Sequence, residues 1–417
     1  MTRDPGGNGA GPGAGEGSGP GNGAGPSGGS SAGAGSGNGA GLHVVRFAPA
    51  KLNLTLAILG RRDDGYHSLH SVMVPLLLGD ALTVSAAPQA TAGDTLRVSG
   101  LAVSAAEDNL VLRAIDAVRA ALARERPRTR ADLPPLSVRL VKRIPVAAGL
   151  GGGSSDAAAA IEAALAAWQT TLAPASKAAV AASLGSDVPF FFAHGAALIT
   201  GRGEFVEPLP EMNSEPPAVL LVTPALPLST PAVFGAYAAG ARPADAARAR
   251  RISESLAARF RAGTTAAALL QEAYELAAAN DLLPAAISVA PELELFIRKL
   301  ETVVGRPVCQ SGSGPTQWVM YATLAEARKA VRLVRLAVAR GQLPTLGGGE
   351  LSAVATAIAS PFNPRAVSTS GQPDGQHLVQ AGRANRASTV HNGSSAEAHP
   401  PGDSAGEPLA PKGDDSR

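Results

Sequence analysis

Pro145-Val-Ala-Ala-Gly-Leu-Gly-Gly-Gly-Ser-Ser-Asp156 is the stretch that determines how this 417-residue chain is interpreted. The residues before it, 137–144, favour a strand, and the spacing of Ile161, Leu165 and Trp168 after it is typical of one helix face. A glycine loop between a strand and a helix brings backbone N–H groups and the positive helix N-terminus to one point, because glycine has no Cβ to keep an anion away. The segment therefore predicts a phosphate-binding loop.

The loop differs from two familiar phosphate loops. It has no Gly-Lys-Ser/Thr ending, so it does not match a Walker A loop, and its G-x-G-G-G spacing is not the G-x-G-x-x-G of dinucleotide-binding domains. Ser154 and Ser155 stand at the expected helix start, where their hydroxyls serve either as caps or as phosphate ligands. The alternative is a flexible turn, which rarely needs four glycines followed by two serines and an aspartate.

Composition separates two tails from the middle of the chain, and length divides the middle into two parts. Residues 1–41 are almost wholly Gly, Ala, Ser, Asn and Pro, and residues 362–417 are polar, so both are predicted to be disordered tails. The part between them is too long for one compact core. We therefore expect two domains, an N-terminal one over 42–210 and a C-terminal one over 211–361.

Charge and cysteine content limit the function classes. The net charge of +2 gives no strong attraction to nucleic acid or to an anionic membrane, and the arginines within 242–261 lack the interleaved aromatic residues of an RNA-binding patch. A single cysteine, Cys309, excludes an internal disulfide, and no apolar run approaches 18 residues. These features predict a soluble, cytoplasmic protein without nucleic-acid or membrane partners.

Strand and helix signals are mixed along the middle of the chain. Strands are expected over 69–78, 81–86 and 190–199, and one helix is expected over 264–278. Because strands and helices do not alternate regularly, the pattern favours the α+β fold class.

Two charged residues are candidates for catalysis. Asp187 precedes an apolar run, and a partly desolvated carboxylate suits a general base; the alternative is a turn or cap aspartate. Lys51 interrupts an apolar strand and could pair with Asp187; the alternative is a surface lysine. Tyr66 offers a flat ring and His67 a hydrogen-bonding edge, which suit a nucleobase, whereas the alternative is a turn with a buried tyrosine.

Several segments in this order resemble the GHMP small-molecule kinases. They are Pro49-Ala-Lys-Leu-Asn53, Asp64-Gly-Tyr-His67, Pro145 to Asp156, Leu184-Gly-Ser-Asp-Val-Pro189 and Ser311-Gly-Ser-Gly-Pro315. The first two segments resemble the branch of that superfamily that acts on a cytidyl substrate. The resemblance covers about residues 46–361.

This resemblance implies a two-domain GHMP kinase fold of the α+β class, with an N-terminal ribosomal-protein-S5-like α/β domain and a C-terminal ferredoxin-like α+β domain. It implies a monomer or homodimer that uses ATP and Mg²⁺ to phosphorylate a hydroxyl of a cytidine-diphosphate-linked polyol. The alternatives are another GHMP kinase, such as homoserine kinase, and a non-catalytic nucleotide-binding protein. A dehydrogenase is disfavoured because its fingerprint is missing.

The resemblance also implies residue roles. Asp187 is the expected base and Lys51 its electrostatic partner, and no residue is assigned as a metal ligand. The expected nucleotide-binding residues are Pro145, Val146, Ala147, Ala148, Gly149, Leu150, Gly151, Gly152, Gly153, Ser154 and Ser155. The expected substrate-binding residues are Asn53, Tyr66, His67, Thr230 and Phe234, with the base between Tyr66 and Phe234. Val146 and Ala147 stand where many members carry Met and Gly.

Overall fold

The computed structural model describes residues 43–90, 93–101, 109–125 and 132–359. The predicted tails, 1–41 and 362–417, lie outside the described residues. The described part contains two β-sheets with helices packed against them, which confirms the predicted α+β class. One sheet uses strands from residues 43–208 and the other uses strands from residues 218–357. The domain boundary near residue 210 falls in the connection between them and stays a prediction.

The first sheet and its helices come from the first half of the described chain. The strands are β1 (His43–Asn53), β2 (Ala57–Arg61), β3 (His67–Ala86), β4 (Thr95–Gly100), β5 (Leu136–Lys142), β6 (Ala197–Gly201) and β7 (Phe205–Pro208). The helices are α1 (Leu110–Glu125), α2 (Gly152–Ala167) and α3 (Pro174–Leu184), followed by a 3₁₀ helix, Pro189–Phe192.

The long strand β3 organises this sheet. The order is β4-β5-β3-β6-β7; β1 and β2 also pair with β3, and only the β4–β5 pair is parallel. The first part of β3 pairs with β2 and β6 and its last part pairs with β5, while β1 pairs with β3 from Met73 to Ser85. Two separate strands had been expected in this region, and the structure joins them because β1 pairs with β3 on both sides of Gly79.

The helices α1 and α2 cover one face of this sheet. In β5 the alternating residues Leu136, Val138 and Leu140 are buried, as a strand with one core face requires. The alanine-rich α2 is buried along most of its length, because small side chains allow it to lie close to α1 and β1. The glycine loop that connects β5 to α2 is thereby fixed between two buried elements.

The second sheet comes from the C-terminal half of the described chain and has the antiparallel order β11-β8-β10-β9. Its strands are β8 (Ala218–Thr223), β9 (Cys309–Gln310), β10 (Gln317–Tyr321) and β11 (Ser352–Ala357). The helices of this half are α4 (Thr230–Ala238), α5 (Arg248–Ala262), α6 (Ala266–Gln271), α7 (Ala273–Ala277), α8 (Leu283–Val289), α9 (Glu292–Val304) and α10 (Leu324–Ala339).

Successive side chains of β8 point alternately into two apolar clusters, and one of these clusters joins the two halves of the described chain. Leu220 and Val222 pack in one apolar cluster with α8, α9 and α10, whereas Val219 and Leu221 face a second cluster. That second cluster also contains Leu52 of β1 and further residues of β3, so apolar side chains of both sheets pack together.

Two predicted elements differ from the structure. The strand expected over 190–199 is wrong in its first part, because Pro189 starts a 3₁₀ helix and His194 has a left-handed φ of 55°, so β6 begins only at Ala197. The single helix expected over 264–278 is two short helices, α6 and α7, that meet at Glu272. Neither change moves a predicted site residue away from its loop or strand.

Candidate active site

A cleft of about 900 Å³ brings the predicted site residues together. It is lined by β1, by the turn between β2 and β3, by the glycine loop, by Asp187, and by the start of α4. Every predicted residue except Ser155 lines this cleft. Ser155 is 1% exposed, its Oγ has no hydrogen-bond partner among the described residues, and it lines a small separate pocket beside Phe191. Its assignment to the nucleotide site stays a prediction.

The glycine loop has the backbone conformation that its glycines permit. Gly149 has a φ of 78° and Gly151 a φ of 68°, both in the left-handed region that favours glycine. Gly151 is the N-cap residue of α2, and no side chain caps the helix there. The first N–H groups of α2 therefore face the cleft end of the loop without an intrahelical partner, which is the arrangement that binds anions.

Ala147 is a residue of this loop whose backbone conformation is unfavourable for a residue with a Cβ. Its φ is 53°, which costs an L-residue with a Cβ roughly 1–2 kcal/mol. We expect Ala147→Gly to raise the free energy of unfolding by about 0.5–1 kcal/mol. Ala148→Gly is the matched control and should lower it, because Ala148 has no positive φ and its methyl group is buried. Urea denaturation measures both variants, and equal destabilisation of the two would contradict the strain at Ala147.

A second glycine loop closes against the first. A Cβ on Gly149 would lie 2.3 Å from the Ser311 carbonyl oxygen, and a Cβ on Gly314 would lie 2.3 Å from the Gly149 nitrogen. Ser311 Oγ donates to the Gly149 carbonyl at 3.1 Å, and Asn280 Nδ2 donates to the Gly312 carbonyl at 2.9 Å. The backbones of the two loops are thus in direct contact, and there is no room for a Cβ at Gly149 or Gly314.

Lys51 and Asp187 lie side by side on the cleft wall. Lys51 Nζ is 3.5 Å from Asp187 Oδ2 and donates to Asn53 Oδ1 at 2.6 Å, while the Lys51 backbone N–H donates to the Leu150 carbonyl at 2.9 Å. Lys51 is 4% exposed, whereas the Asp187 side chain is 32% exposed. The lysine is therefore fixed, and the carboxylate remains open to a molecule in the cleft.

These contacts bear on the alternatives for both residues. Lys51 is not a surface lysine, because its side chain is buried between β1 and the glycine loop. Asp187 lies in the turn between α3 and the 3₁₀ helix and does not cap that helix, whose N-cap residue is Val188, so its role as a base stays a prediction. Asn53 is held in turn by a hydrogen bond from its Nδ2 to Ser71 Oγ at 2.9 Å.

Aromatic rings line the other end of the cleft. The rings of His67 and Phe234 are 5.4 Å apart at an interplanar angle of 33°, and the Tyr237 ring meets His67 edge-on at 5.8 Å. Tyr66 is 52% exposed, and the Arg202 guanidinium lies 5.0 Å from the centre of its ring. The structure thus pairs Phe234 with His67 and places Tyr66 beside Arg202, and a base held between Tyr66 and Phe234 stays a prediction.

The environment of His67 favours its neutral form. Burial lowers the pKa of the imidazole below its ordinary value, and the positive charges of Arg61 and Arg242 lower it further. A neutral imidazole carries one donor and one acceptor nitrogen, which suits the polar edge of a nucleobase. Thr230, at the start of α4, shares a hydrogen bond of 2.9 Å with Ser313 and so connects this end to the second glycine loop.

Sequence reasoning missed several residues that line the cleft. Arg202 lies in the turn between β6 and β7, and Lys142 and Asp156 lie beneath the glycine loop. Lys142 and Asp156 had a usable signal: Lys142 shares the buried face of β5 with Val138, and Asp156 interrupts an alanine-rich helix. Nothing local in the sequence marks Arg202, because its contact with Tyr66 arises only when β6 pairs with β3.

Among the described residues, no helix is long and apolar enough to cross a membrane. Within that same part of the chain, no cluster of three or more His, Cys, Asp or Glu side chains is arranged to hold a metal ion.

Comparison with known proteins identifies the family. Residues 109–195 match the family described as the GHMP kinases N terminal domain. The chain is 38% identical over 297 residues to a 4-diphosphocytidyl-2-C-methyl-D-erythritol kinase of Pelotomaculum thermopropionicum, which covers 70% of this chain and 94% of that relative. It is 36% identical to a protein of the same name from Chelativorans sp., covering 69% of this chain and 90% of the relative.

Solved structures agree with this comparison. A crystal structure of 4-(cytidine 5'-diphospho)-2C-methyl-D-erythritol kinase superposes with a TM-score of 0.52 at 28% identity, over 76% of this chain and 100% of that one. A homoserine kinase from Cytophaga hutchinsonii has the same TM-score at 14% identity, over 77% and 96% of the two chains, and shows only the shared fold. The chain therefore belongs to the 4-diphosphocytidyl-2-C-methyl-D-erythritol kinase family within the GHMP kinases.

Proposed function

We propose that this protein transfers the γ-phosphoryl group of ATP to the 2-hydroxyl of 4-diphosphocytidyl-2-C-methyl-D-erythritol, a step of the non-mevalonate route to isoprenoid precursors. The observation that carries the proposal is the Lys51–Asp187 pair, 3.5 Å apart in the cleft that the glycine loop lines. A non-catalytic nucleotide-binding protein has no need of an open carboxylate beside a fixed cation. Homoserine kinase, the other alternative, is disfavoured by family membership and by the rings of His67 and Phe234.

The chemistry follows from the two ends of the cleft. The glycine loop N–H groups hold the phosphates, and the substrate hydroxyl lies beside Asp187. As the hydroxyl oxygen attacks the γ-phosphorus in line, its proton passes to Asp187, the new O–P bond forms, and the bond to the β-phosphate oxygen breaks to release ADP. Lys51 remains charged throughout and stabilises the negative charge that develops near the attacking oxygen.

We propose Mg²⁺ as the metal that accompanies ATP. The cleft fits a metal that arrives bound to the nucleotide, because the open glycine loop leaves room for phosphates and Mg²⁺ keeps several waters in sites of this kind. When bound, the ion neutralises charge on the β- and γ-phosphate oxygens. The nucleotide itself holds the ion, and we assign no residue of this chain as its ligand.

At the other end, the rings and His67 select the cytidyl group. Phe234 offers a ring face for stacking, and neutral His67 offers one donor and one acceptor to the base edge. Asn53, held by Ser71 and Lys51, is proposed to hydrogen-bond the part of the substrate nearest Asp187.

Removal of the Phe234 ring tests this end. We expect Phe234→Ala to raise the KM for the cytidyl substrate about tenfold to a hundredfold, because stacking on an aromatic ring contributes roughly 1–3 kcal/mol per base. The KM for ATP should change less than about threefold. Tyr274→Ala, which removes a 77% exposed ring of α7, is the matched control. Steady-state kinetics measure both variants, and an unchanged KM for the cytidyl substrate would remove Phe234 from the base site.

The proposed function is tested by ADP release from MgATP with three acceptors: the cytidyl-methylerythritol compound, homoserine and mevalonate. We expect turnover only with the cytidyl compound. Turnover with another alcohol instead would keep the kinase chemistry and overturn the substrate assignment. Tight ATP binding without turnover on any acceptor would favour the non-catalytic alternative.

A further inference from the structure

Three ionisable side chains lie together beneath the glycine loop, and the proposed phosphoryl transfer does not use them. Lys142, the last residue of β5, pairs with Asp80 of β3 and lies 2.6 Å from Asp156 Oδ2 on α2. Each of the three is at most 5% exposed. A buried ion cluster contributes little net stability, because desolvation offsets the attraction between its charges. Its place in this core therefore calls for another explanation.

The cluster holds both ends of the glycine loop. Asp80 Oδ1 accepts hydrogen bonds from the backbone N–H groups of Arg143 and Ile144, the two residues that lead into the loop. Asp156 lies in the first turns of α2, directly after the loop, and Lys142 connects it to Asp80. The entry and the exit of the loop are thus joined through one ammonium group.

The same cluster borders the space that the loop encloses. A Cβ on Gly152 would lie 3.4 Å from Lys142 Nζ, so the ammonium group lies against the first turn of α2. Lys142 and Asp156 both line the cleft. Asp156 Oδ1 is buried and has no hydrogen-bond partner among the described residues.

We infer that Asp80, Lys142 and Asp156 are positioning residues for ATP, which hold the glycine loop in the shape that directs its N–H groups at the nucleotide phosphates. The inference rests on the proposed function, because it takes ATP as the ligand of the loop. The cluster acts through the loop and does not touch the acceptor site around Asp187. Its loss should therefore weaken ATP binding selectively.

Asp156→Ala releases the exit of the loop while the buried Asp80–Lys142 pair keeps its balanced charge. We expect it to raise the KM for ATP at pH 7 at least tenfold, with the KM for the cytidyl substrate changed less than threefold. Asp156→Asn keeps the shape and an acceptor for Lys142, so it should restore the KM for ATP to within threefold of wild type. Glu162→Ala is the matched control, because it removes another carboxylate of α2, one that pairs with Lys177 at 2.7 Å.

The outcomes separate the inference from the proposed function. An unchanged KM for ATP in Asp156→Ala overturns the inference, and so does an equal rise in the KM of both substrates, which indicates a general structural role. The failure of wild type to turn over any acceptor overturns the proposed function instead. Thermal unfolding of each variant identifies loss of the fold.

A second measurement keeps the inference testable if the alanine variant does not fold. Burial raises the pKa of the Asp156 carboxyl to about 8, with Asp80 adding to the rise and Lys142 opposing it. Below that pH the group is neutral, and above it a negative charge appears beside the phosphates. The KM of wild type for ATP should rise about fivefold between pH 7 and pH 9, whereas that of the isosteric Asp156→Asn should rise less than twofold. Equal rises in both proteins overturn the inference.

Discussion

Asp187→Asn should lower kcat by about 10²- to 10⁴-fold, while ATP binding stays near that of wild type. The asparagine keeps the shape of the side chain but cannot accept a proton from the substrate hydroxyl, and a positioned general base contributes a factor of this size. The substitution removes the ion partner of the buried Lys51, but the amide oxygen of the asparagine keeps an acceptor beside Lys51 Nζ, which also keeps its hydrogen bond to Asn53 Oδ1. The fold and the glycine loop should be unaffected.

Single-turnover kinetics and a nucleotide-binding titration measure the two halves of this prediction. Asp116→Asn is the matched control, because the Asp116 side chain on α1 is 74% exposed and is not part of the cleft lining. Wild-type turnover in Asp187→Asn would remove this residue from the mechanism. A loss of ATP binding equal to the loss of kcat would assign it to nucleotide binding instead.

Lys51→Met has the second largest expected effect, a fall in kcat of about 10²- to 10³-fold. Methionine fills the buried space of the lysine stem but removes the charge beside the attacking oxygen, and a single electrostatic donor in a catalytic site contributes this much. Asn53 loses its hydrogen bond from Nζ, so a modest rise in the substrate KM should accompany the fall. Lys177→Met, in an ion pair away from the cleft, is the control and should keep wild-type kcat.

The double variant Lys51→Met/Asp187→Asn distinguishes a working pair from two independent residues. When two residues act as a unit, the losses of kcat caused by their separate substitutions do not add. The kcat of the double variant should therefore be little lower than that of Asp187→Asn alone. Full additivity of the two losses would contradict the joint role that the 3.5 Å contact supports.

The glycine loop and its neighbours could be predicted from the sequence because their signals are local. The strand before the loop and the helix after it follow from apolar spacing, and the structure has them as β5 and α2. Lys51 and Asp187 could be found for a similar reason, since each is a charge set against an apolar run. The local pattern left a pairing of their side chains as one of two alternatives, and the family resemblance favoured it.

Other features depend on tertiary pairing and had no local signal. The chain continues through Gly79 in one long strand because β1, a partner distant in sequence, pairs with β3 on both sides of that residue. Pro189 marks a helix start, but the apolar residues after it also suit a strand, and the fold decides between the two. Arg202 reaches Tyr66 only in the assembled sheet.

The central claim is phosphoryl transfer to an alcohol, and the product of the reaction tests it most directly. The measurement is a ³¹P NMR spectrum of wild-type protein incubated with MgATP and the cytidyl-methylerythritol compound. We expect ADP together with a new phosphomonoester resonance, while the two phosphorus resonances of the cytidine diphosphate group are retained. ADP with inorganic phosphate alone, or no consumption of ATP, would contradict phosphoryl transfer to this alcohol.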